Sequence, residues 1–366
     1  MNTLQTVHAL GQSIWLDDIR RSWLRDGTFS RLIDKDGLAG VTSNPAIFAK
    51  SIGEGTEYES AIQTLARKGR KAGDIYEALV LEDVQAAADL FRPTFDSANS
   101  ADGFVSLEVS PHLADDTEGT LTEGRRLWRA FNRPNAMIKV PGTAAGLPAI
   151  RTLIAEGINI NVTLLFGLER YGEVVDAWLS GLEQRVKASH SIENVASVAS
   201  FFLSRIDTLV DGRLDALATS EAKALRGRTA IASARLAYEA FRNWSVSDRW
   251  RRLASRGARP QRLLWASTSS KDPAYPDTYY VEALIAPQTV NTLPRATIDA
   301  YRDHGVPAVR IGEDLAGARN VLQGLEKLGI SPREVSAQLE REGVKKFVEP
   351  FDALLATLAR RASSAA

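Results

Sequence analysis

The chain of 366 residues contains no cysteine. That excludes a disulfide framework, a thiolate metal site, an iron–sulfur cluster and a cysteine nucleophile. Histidine is scarce. His8, His112, His190 and His304 are the four, and none stands at metal-ligand spacing from another, so no His-pair zinc motif is present. An excess of one charge is also missing. The 45 Lys+Arg balance 45 Asp+Glu, for a formal net charge of +0. No bulk field therefore favours nucleic acid or an anionic membrane. No stretch approaches the ~18 apolar residues of a membrane span. The N-terminal MNTLQTVHAL has no basic region followed by an apolar run and does not read as a secretory signal. The expectation is a soluble cytoplasmic protein without metal, membrane or nucleic-acid partner. If it is an enzyme, carboxylates, lysine and hydroxyls carry most of the chemistry.

What is present is ordinary globular material, 44% hydrophobic and 25% charged, enough for a large core. A prior of about 150 residues per domain suggests two domains, but barrels routinely exceed it as one unit. Eight short apolar runs read as strands: Ser13–Asp17, Leu38–Thr42, Gly103–Val109, Ala136–Val140, Ile158–Leu164, Val195–Phe202, Arg262–Ser267 and Gln288–Thr292. Helical patterns lie between them. Asp74 with Glu77 resembles a capping box, and Tyr171, Val174, Val175, Trp178, Leu182 and Val186 form an apolar stripe. Alternating strands and helices argue for a parallel sheet, and eight strands fit an α/β (β/α)8 TIM barrel. The reading is one barrel domain over 1–366. It carries a helical, arginine-rich excursion over about 211–260 and a C-terminal helical extension over about 331–360. The excursion, with Arg249, Arg251, Arg252, Arg256 and Arg259, reads as a solvated surface. The extension opens with Ser331 as N-cap and Pro332 at the first helical position, and Pro350 is expected to kink it.

Alternate residues of a strand share a face, and buried parallel strands are normally apolar on both. Here several are polar on one. Val105, Leu107 and Val109 oppose Ser106 and Glu108; Ala136, Ile138 and Val140 oppose Met137 and Lys139. Ile158, Ile160, Val162 and Leu164 oppose Asn159, Asn161 and Thr163, and Ile14 with Leu16 opposes Ser13, Trp15 and Asp17. The polar faces must then point into the barrel, where unpaired ions cost several kcal/mol. One such pair could simply support the fold. Several polar strand ends together are the layout of a catalytic mouth. Lys139 is the single lysine inside an apolar strand, whereas Lys68, Lys71, Lys345 and Lys346 stand in polar helical contexts and read as surface residues. Burial favours the neutral amine, which attacks a ketone to form a Schiff base. The protonated imine is an electron sink for breaking a neighbouring carbon–carbon bond.

Four motifs carry a family resemblance. Val41-Thr42-Ser43-Asn44-Pro45-Ala46, Ser106-Leu107-Glu108-Val109, Ile138-Lys139-Val140-Pro141-Gly142-Thr143 followed by Gly146, and Ile160-Asn161-Val162-Thr163-Leu164-Leu165-Phe166 stand in family order and spacing. The chain resembles the longer bacterial transaldolases, within the class I aldolases, from about Gly11 to the C-terminal helix. The resemblance implies transfer of a dihydroxyacetone unit between sugar phosphates, without a cofactor, in the non-oxidative pentose phosphate pathway. It implies Lys139 as the Schiff-base nucleophile and Asp17 as the acid/base at the C4 hydroxyl. Asp18 competes for that role, but its parity points it toward the helices. Glu108 and Thr163 would move protons through a held water. Asn44 and Asn161 would bind substrate hydroxyls, with Ser200 and Arg205 at substrate and phosphate positions. Outside the motif Asn44 would read as a turn residue, and Arg205 as a surface partner of Asp207. Many transaldolases place a second phosphate-binding arginine after the seventh strand; here Ser267, Ser269 and Lys271 stand there instead. Three further readings compete, of which a metal-dependent sugar isomerase in the same fold is disfavoured by the missing ligands. A lyase would release dihydroxyacetone, against which Phe202, in place of a hydroxylated residue, argues. A non-catalytic barrel would have no use for the Lys139, Glu108, Asp17 and Thr163 set. A monomer and a homodimer are both compatible with the sequence.

Overall fold

The computed structural model describes residues 1–364. Eight parallel strands close into a barrel in sequence order. They are β1 (Gln12–Leu16), β2 (Gly40–Thr42), β3 (Phe104–Glu108), β4 (Ala136–Pro141), β5 (Ile160–Leu165), β6 (Ser197–Phe202), β7 (Arg262–Ala266) and β8 (Thr289–Leu293). All eight expected strands are there, with ends moved by up to two residues. The fold is a (β/α)8 TIM barrel with added helices. No described helix is long and apolar enough to cross a membrane.

Register places Glu108, Lys139 and Asn161 side by side on β3, β4 and β5. Their apolar neighbours Leu107, Ile138 and Ile160 belong to the surrounding core. On β1, Asp17 lies one residue past the strand end. Its N–H still donates to the Leu293 carbonyl at 2.8 Å, so the strand parity carries through it.

The lower end of the barrel is sealed by a buried polar cluster. The indole of Trp15 donates to Asp102 at 2.8 Å, and the Ser13 hydroxyl donates to the same carboxylate. Arg262 donates to Ser13 at 2.8 Å and lies 3.5 Å from Asp102. Buried charge is tolerated when paired and hydrogen-bonded in this way. Gly40 makes room for the indole, since a Cβ there would lie 2.7 Å from the Trp15 ring and 2.8 Å from the Phe104 carbonyl oxygen. Neither the buried ring nor the strand backbone can yield cheaply. Gly40→Ala is therefore expected to destabilise the fold by about 1–3 kcal/mol, the usual cost of overpacking. Urea unfolding checks it, and an unchanged midpoint would refute the tight fit.

The excursion between β6 and β7 is four helices, Ser204–Leu217, Ser220–Leu225, Thr229–Trp244 and Asp248–Ala254. It begins directly after β6 rather than at 211. Arg249 is held by Glu183 at 2.8 Å and Asp176 at 2.6 Å, so this arginine serves a surface ion network.

The helix expected near Asp74 starts earlier, at Ala72, and Asp74 is its third residue rather than its cap. The carboxylate accepts the Lys71 N–H at 3.3 Å. The C-terminal helix spans Pro332–Ser363, with the Ser331 side chain accepting from the Glu334 N–H. The helix continues through Pro350, which lies inside it. Phe347, Leu354 and Leu358 are buried, and Phe351 meets Tyr76 edge to face at 5.2 Å. Arg361 donates to the Ile52 and Gly53 carbonyls at 3.0 and 2.7 Å. This helix lies across the C-terminal mouth of the barrel.

Candidate active site

Lys139 sits at the base of a cavity of about 530 Å³ at that mouth. The size suits a small metabolite. Only 4% of the residue is exposed. Its Nζ donates to the Ser43 carbonyl at 2.9 Å and lies 3.4 Å from Glu108 Oε2. The Ser43 carbonyl is fixed from both sides. The Ser43 hydroxyl donates to the Ser106 carbonyl at 2.7 Å, and the next residue, Asn44, caps helix Pro45–Glu54 by accepting the Ile47 N–H at 3.0 Å. Asn44 thus is the turn residue its position before Pro45 suggests, and it also lines the cavity. The capping oxygen is occupied, which leaves its amide NH2 as the donor toward a ligand.

A second carboxylate, Asp17, stands with Glu108 in the surroundings of the amine. Asp17 accepts from the Thr42 hydroxyl at 2.7 Å, and that hydroxyl shares a 2.7 Å bond with Thr292. Burial raises the Asp17 pKa, with the Lys139 charge opposing it. Asp18 turns away from the cavity and pairs with Arg20 at 3.4 Å. Glu108 is raised in the same way, burial first and Lys139 against it. No protein group hydrogen-bonds Thr163 Oγ1 among the described residues, and Glu108 has only the 3.4 Å approach of Lys139. Buried oxygens of this kind are normally satisfied by water or ligand. All three belong to the face of β3 and β5 that flanks Lys139.

Asn161 is fully buried and has no surface on the cavity. Its amide donates to the Ser106 hydroxyl at 3.1 Å, and its oxygen accepts from Ser200 at 2.6 Å. In this geometry it orients Ser200, which does line the cavity.

Arg205 opens helix Ser204–Leu217 directly after β6, which aims it into the mouth. Its guanidinium lies 5.2 Å from the Phe202 ring and 5.9 Å from the Phe347 ring. Its buried Nη1 has no protein partner, and burial lowers its pKa from the usual arginine range. It does not pair with Asp207, which instead accepts from the Ala230 N–H and the Tyr280 hydroxyl, each at 2.8 Å. Ser267 sits in the left-handed region at φ 55°, and its hydroxyl bonds that of Ser204 at 2.9 Å. Lys271, at the rim, donates to Ser269 at 2.8 Å.

The sequence reading missed one wall. Leu339, Glu342 and Lys346 of the C-terminal helix line the cavity, and Phe347 stands 6.0 Å above Lys139 Nζ. Lys346 is exposed, as expected, and its exposed position is on the lining of the cavity. The spacing i, i+3, i+7 put these residues on one helix face, but nothing local showed what that face covers. Among the described residues no group of three His, Asp or Glu side chains is placed to hold a metal ion.

The arrangement can form an imine at a buried amine and shuttle protons between two buried carboxylates. Comparison with known proteins agrees. A family model described as Transaldolase/Fructose-6-phosphate aldolase matches residues 14–358. The chain is 49% identical over 364 residues to a transaldolase of Parafrankia sp. (strain EAN1pec), covering 99% of each. It is 49% identical over 362 residues to one of Thermobifida fusca (strain YX), covering 98% of each. It is 46% identical over 357 residues to one of Mycobacterium bovis (strain BCG / Pasteur 1173P2), covering 96% of this chain and 95% of the relative. With this match over nearly its whole length, the chain belongs to the transaldolase/fructose-6-phosphate aldolase family and is a transferase of the transaldolase type.

Proposed function

We propose that the enzyme moves a dihydroxyacetone unit from a ketose phosphate, sedoheptulose 7-phosphate or fructose 6-phosphate, to an aldose phosphate. Glyceraldehyde 3-phosphate and erythrose 4-phosphate are the acceptors, and the setting is the cytoplasmic non-oxidative pentose phosphate pathway. The observation that carries the reading is the Lys139 amine, buried at the base of the cavity between a carbonyl and Glu108, with Asp17 as a second buried carboxylate.

Lys139 Nζ attacks the donor ketone. Glu108 and Thr163, through a water between them, deliver the protons that let the carbinolamine oxygen leave as water. Asp17 then accepts the C4 hydroxyl proton as the C3–C4 bond breaks, and its electrons pass into the iminium to give an enamine. The shortened aldose leaves. The enamine carbon attacks the acceptor aldehyde, Asp17 returns its proton, and hydrolysis frees Lys139. The Asn44 amide and Ser200, oriented by Asn161, bind hydroxyls. Arg205, Ser267, Ser269 and Lys271 hold the phosphate. No cofactor takes part, and the enzyme acts as a monomer or a homodimer on sugar phosphates alone.

Borohydride reduction in the presence of fructose 6-phosphate, followed by mass mapping, tests the reading. A three-carbon adduct on Lys139 is expected. An adduct elsewhere would sink the mechanism. Free dihydroxyacetone released from fructose 6-phosphate alone, at a rate matching transfer, would make the enzyme a lyase instead.

A further inference from the structure

We infer that Lys346, on the C-terminal helix, is a specificity residue for the phosphate of the substrate, so that this helix completes the site from above. The inference rests on the proposed sugar-phosphate chemistry and adds a residue from outside the barrel to it.

The phosphate end of the cavity has one buried arginine, Arg205, and no second arginine in its lining. Ser267 and Ser269 supply neutral donors only. A phosphate monoester carries about −1.5 to −2 charges at neutral pH, so one guanidinium leaves it under-compensated. Lys271 brings a second positive charge to the rim. Lys346 brings a third, from the C-terminal helix. None of these three cations lies within 4 Å of a carboxylate among the described residues, although Lys345, the neighbour of Lys346, pairs with Glu349. Unpaired cations converging on one cavity are a built-in attraction for a dianion.

Glu342 is the carboxylate that the C-terminal helix adds to the lining, four residues before Lys346, and could have neutralised it. It is held elsewhere. Gln338 donates to Glu342 at 2.7 Å, and Arg213 fixes the Gln338 oxygen at 2.5 Å. By formal charge the cavity lining holds four cations, Lys139 included, against the two carboxylates Asp17 and Glu342, which leaves two positive charges for the ligand. The height of the helix is set by Phe347, whose ring is 5.9 Å from the Arg205 guanidinium. Lys346 therefore leaves the backbone directly beside the residue that covers Arg205. A flexible ammonium suits this rim position, where it reaches as a point charge while the planar fork of Arg205 holds the buried oxygens.

The test compares two acceptors with one donor, glyceraldehyde 3-phosphate against unphosphorylated glyceraldehyde. A hydrogen bond to a charged group is worth about 10-fold to 100-fold. Lys346→Ala is expected to lower the ratio of the two kcat/KM values by about 10-fold or more. Lys346→Glu lowers it further, and Lys346→Arg restores most of it. Competitive inhibition by inorganic phosphate weakens in parallel. A ratio unchanged in Lys346→Ala and Lys346→Glu overturns the inference, as does an equal loss on both acceptors. The borohydride adduct separates this failure from a deeper one. If Lys139 is still trapped by fructose 6-phosphate while the ratio stays fixed, only the role of Lys346 falls. If wild-type Lys139 is never trapped, the underlying reading falls with it.

Discussion

Replacing Lys139 with methionine is expected to abolish transfer. Methionine has a similar length and an apolar body, but no amine to attack a ketone. Removing a covalent nucleophile from an enzyme typically costs about 10⁶-fold in turnover. The substitution also leaves Glu108 buried without its cation, 3.4 Å away in the native site. An uncompensated carboxylate there raises its pKa further and takes up a proton, so the fold survives while the base is lost. Lys139→Arg separates the two effects, because it keeps a positive charge and cannot form the imine. Steady-state transfer and borohydride trapping provide the readout. Residual turnover above about a hundredth of wild type, far beyond what loss of a nucleophile permits, would remove Lys139 from the nucleophile's role.

The carboxylates give the second large effect. General acid–base groups contribute about 10²–10⁴-fold, so Glu108→Gln and Asp17→Asn should each lower kcat on that order and KM much less. The two should differ in what accumulates. Without Asp17 the imine forms but the C3–C4 bond holds, and borohydride with fructose 6-phosphate then traps a six-carbon adduct on Lys139. Without Glu108 imine formation itself slows, and little adduct of either size appears. The pH profile carries a sign. Burial raises both carboxyl groups above their ordinary values. Asp17 accepts the C4 hydroxyl proton only when ionised, so activity falls as pH drops through its raised pKa. The acid limb therefore lies above the usual carboxylate range. In Asp17→Asn that limb is gone. A limb identical to wild type in both variants would assign the protons to other groups.

The residues nearest the chemistry were readable because they break a pattern. A parallel strand buried on both faces has no ordinary place for Lys139, Glu108 or Asp17, and strand parity assigns all three to one interior. The parity also separates Asp17 from Asp18, and the structure puts only Asp17 in the cavity. Asn161 shows where parity stops: it gives the face but not the depth. The Ser106 and Ser200 hydroxyls engage its amide below the cavity floor. Lys346 shows a second boundary. A lysine on a polar helix face looks the same whether that face meets bulk water or the rim of a distant pocket. The difference is set by packing of the helix on residues near the start of the chain, as when Arg361 binds the Ile52 and Gly53 carbonyls. The helix at Asp74 illustrates a smaller limit. An acidic residue in the first turn favours the helix at N-cap or at N3 alike, so the sequence alone set the cap at Asp74, three residues after the actual cap Lys71.

The C-terminal helix has a consequence for how the protein is made. Asp17 leaves the ribosome some 330 residues ahead of Phe347, and both belong to the surroundings of one amine. At synthesis rates of about 5–20 residues per second, some 15–65 seconds separate them. Between the synthesis of Lys139 and that of β8 a nascent chain carries the reactive lysine, yet β1 has no β8 to pair with, and the interior face of Lys139 is still open to water. Sugar chemistry therefore starts with a finished molecule, not a growing one.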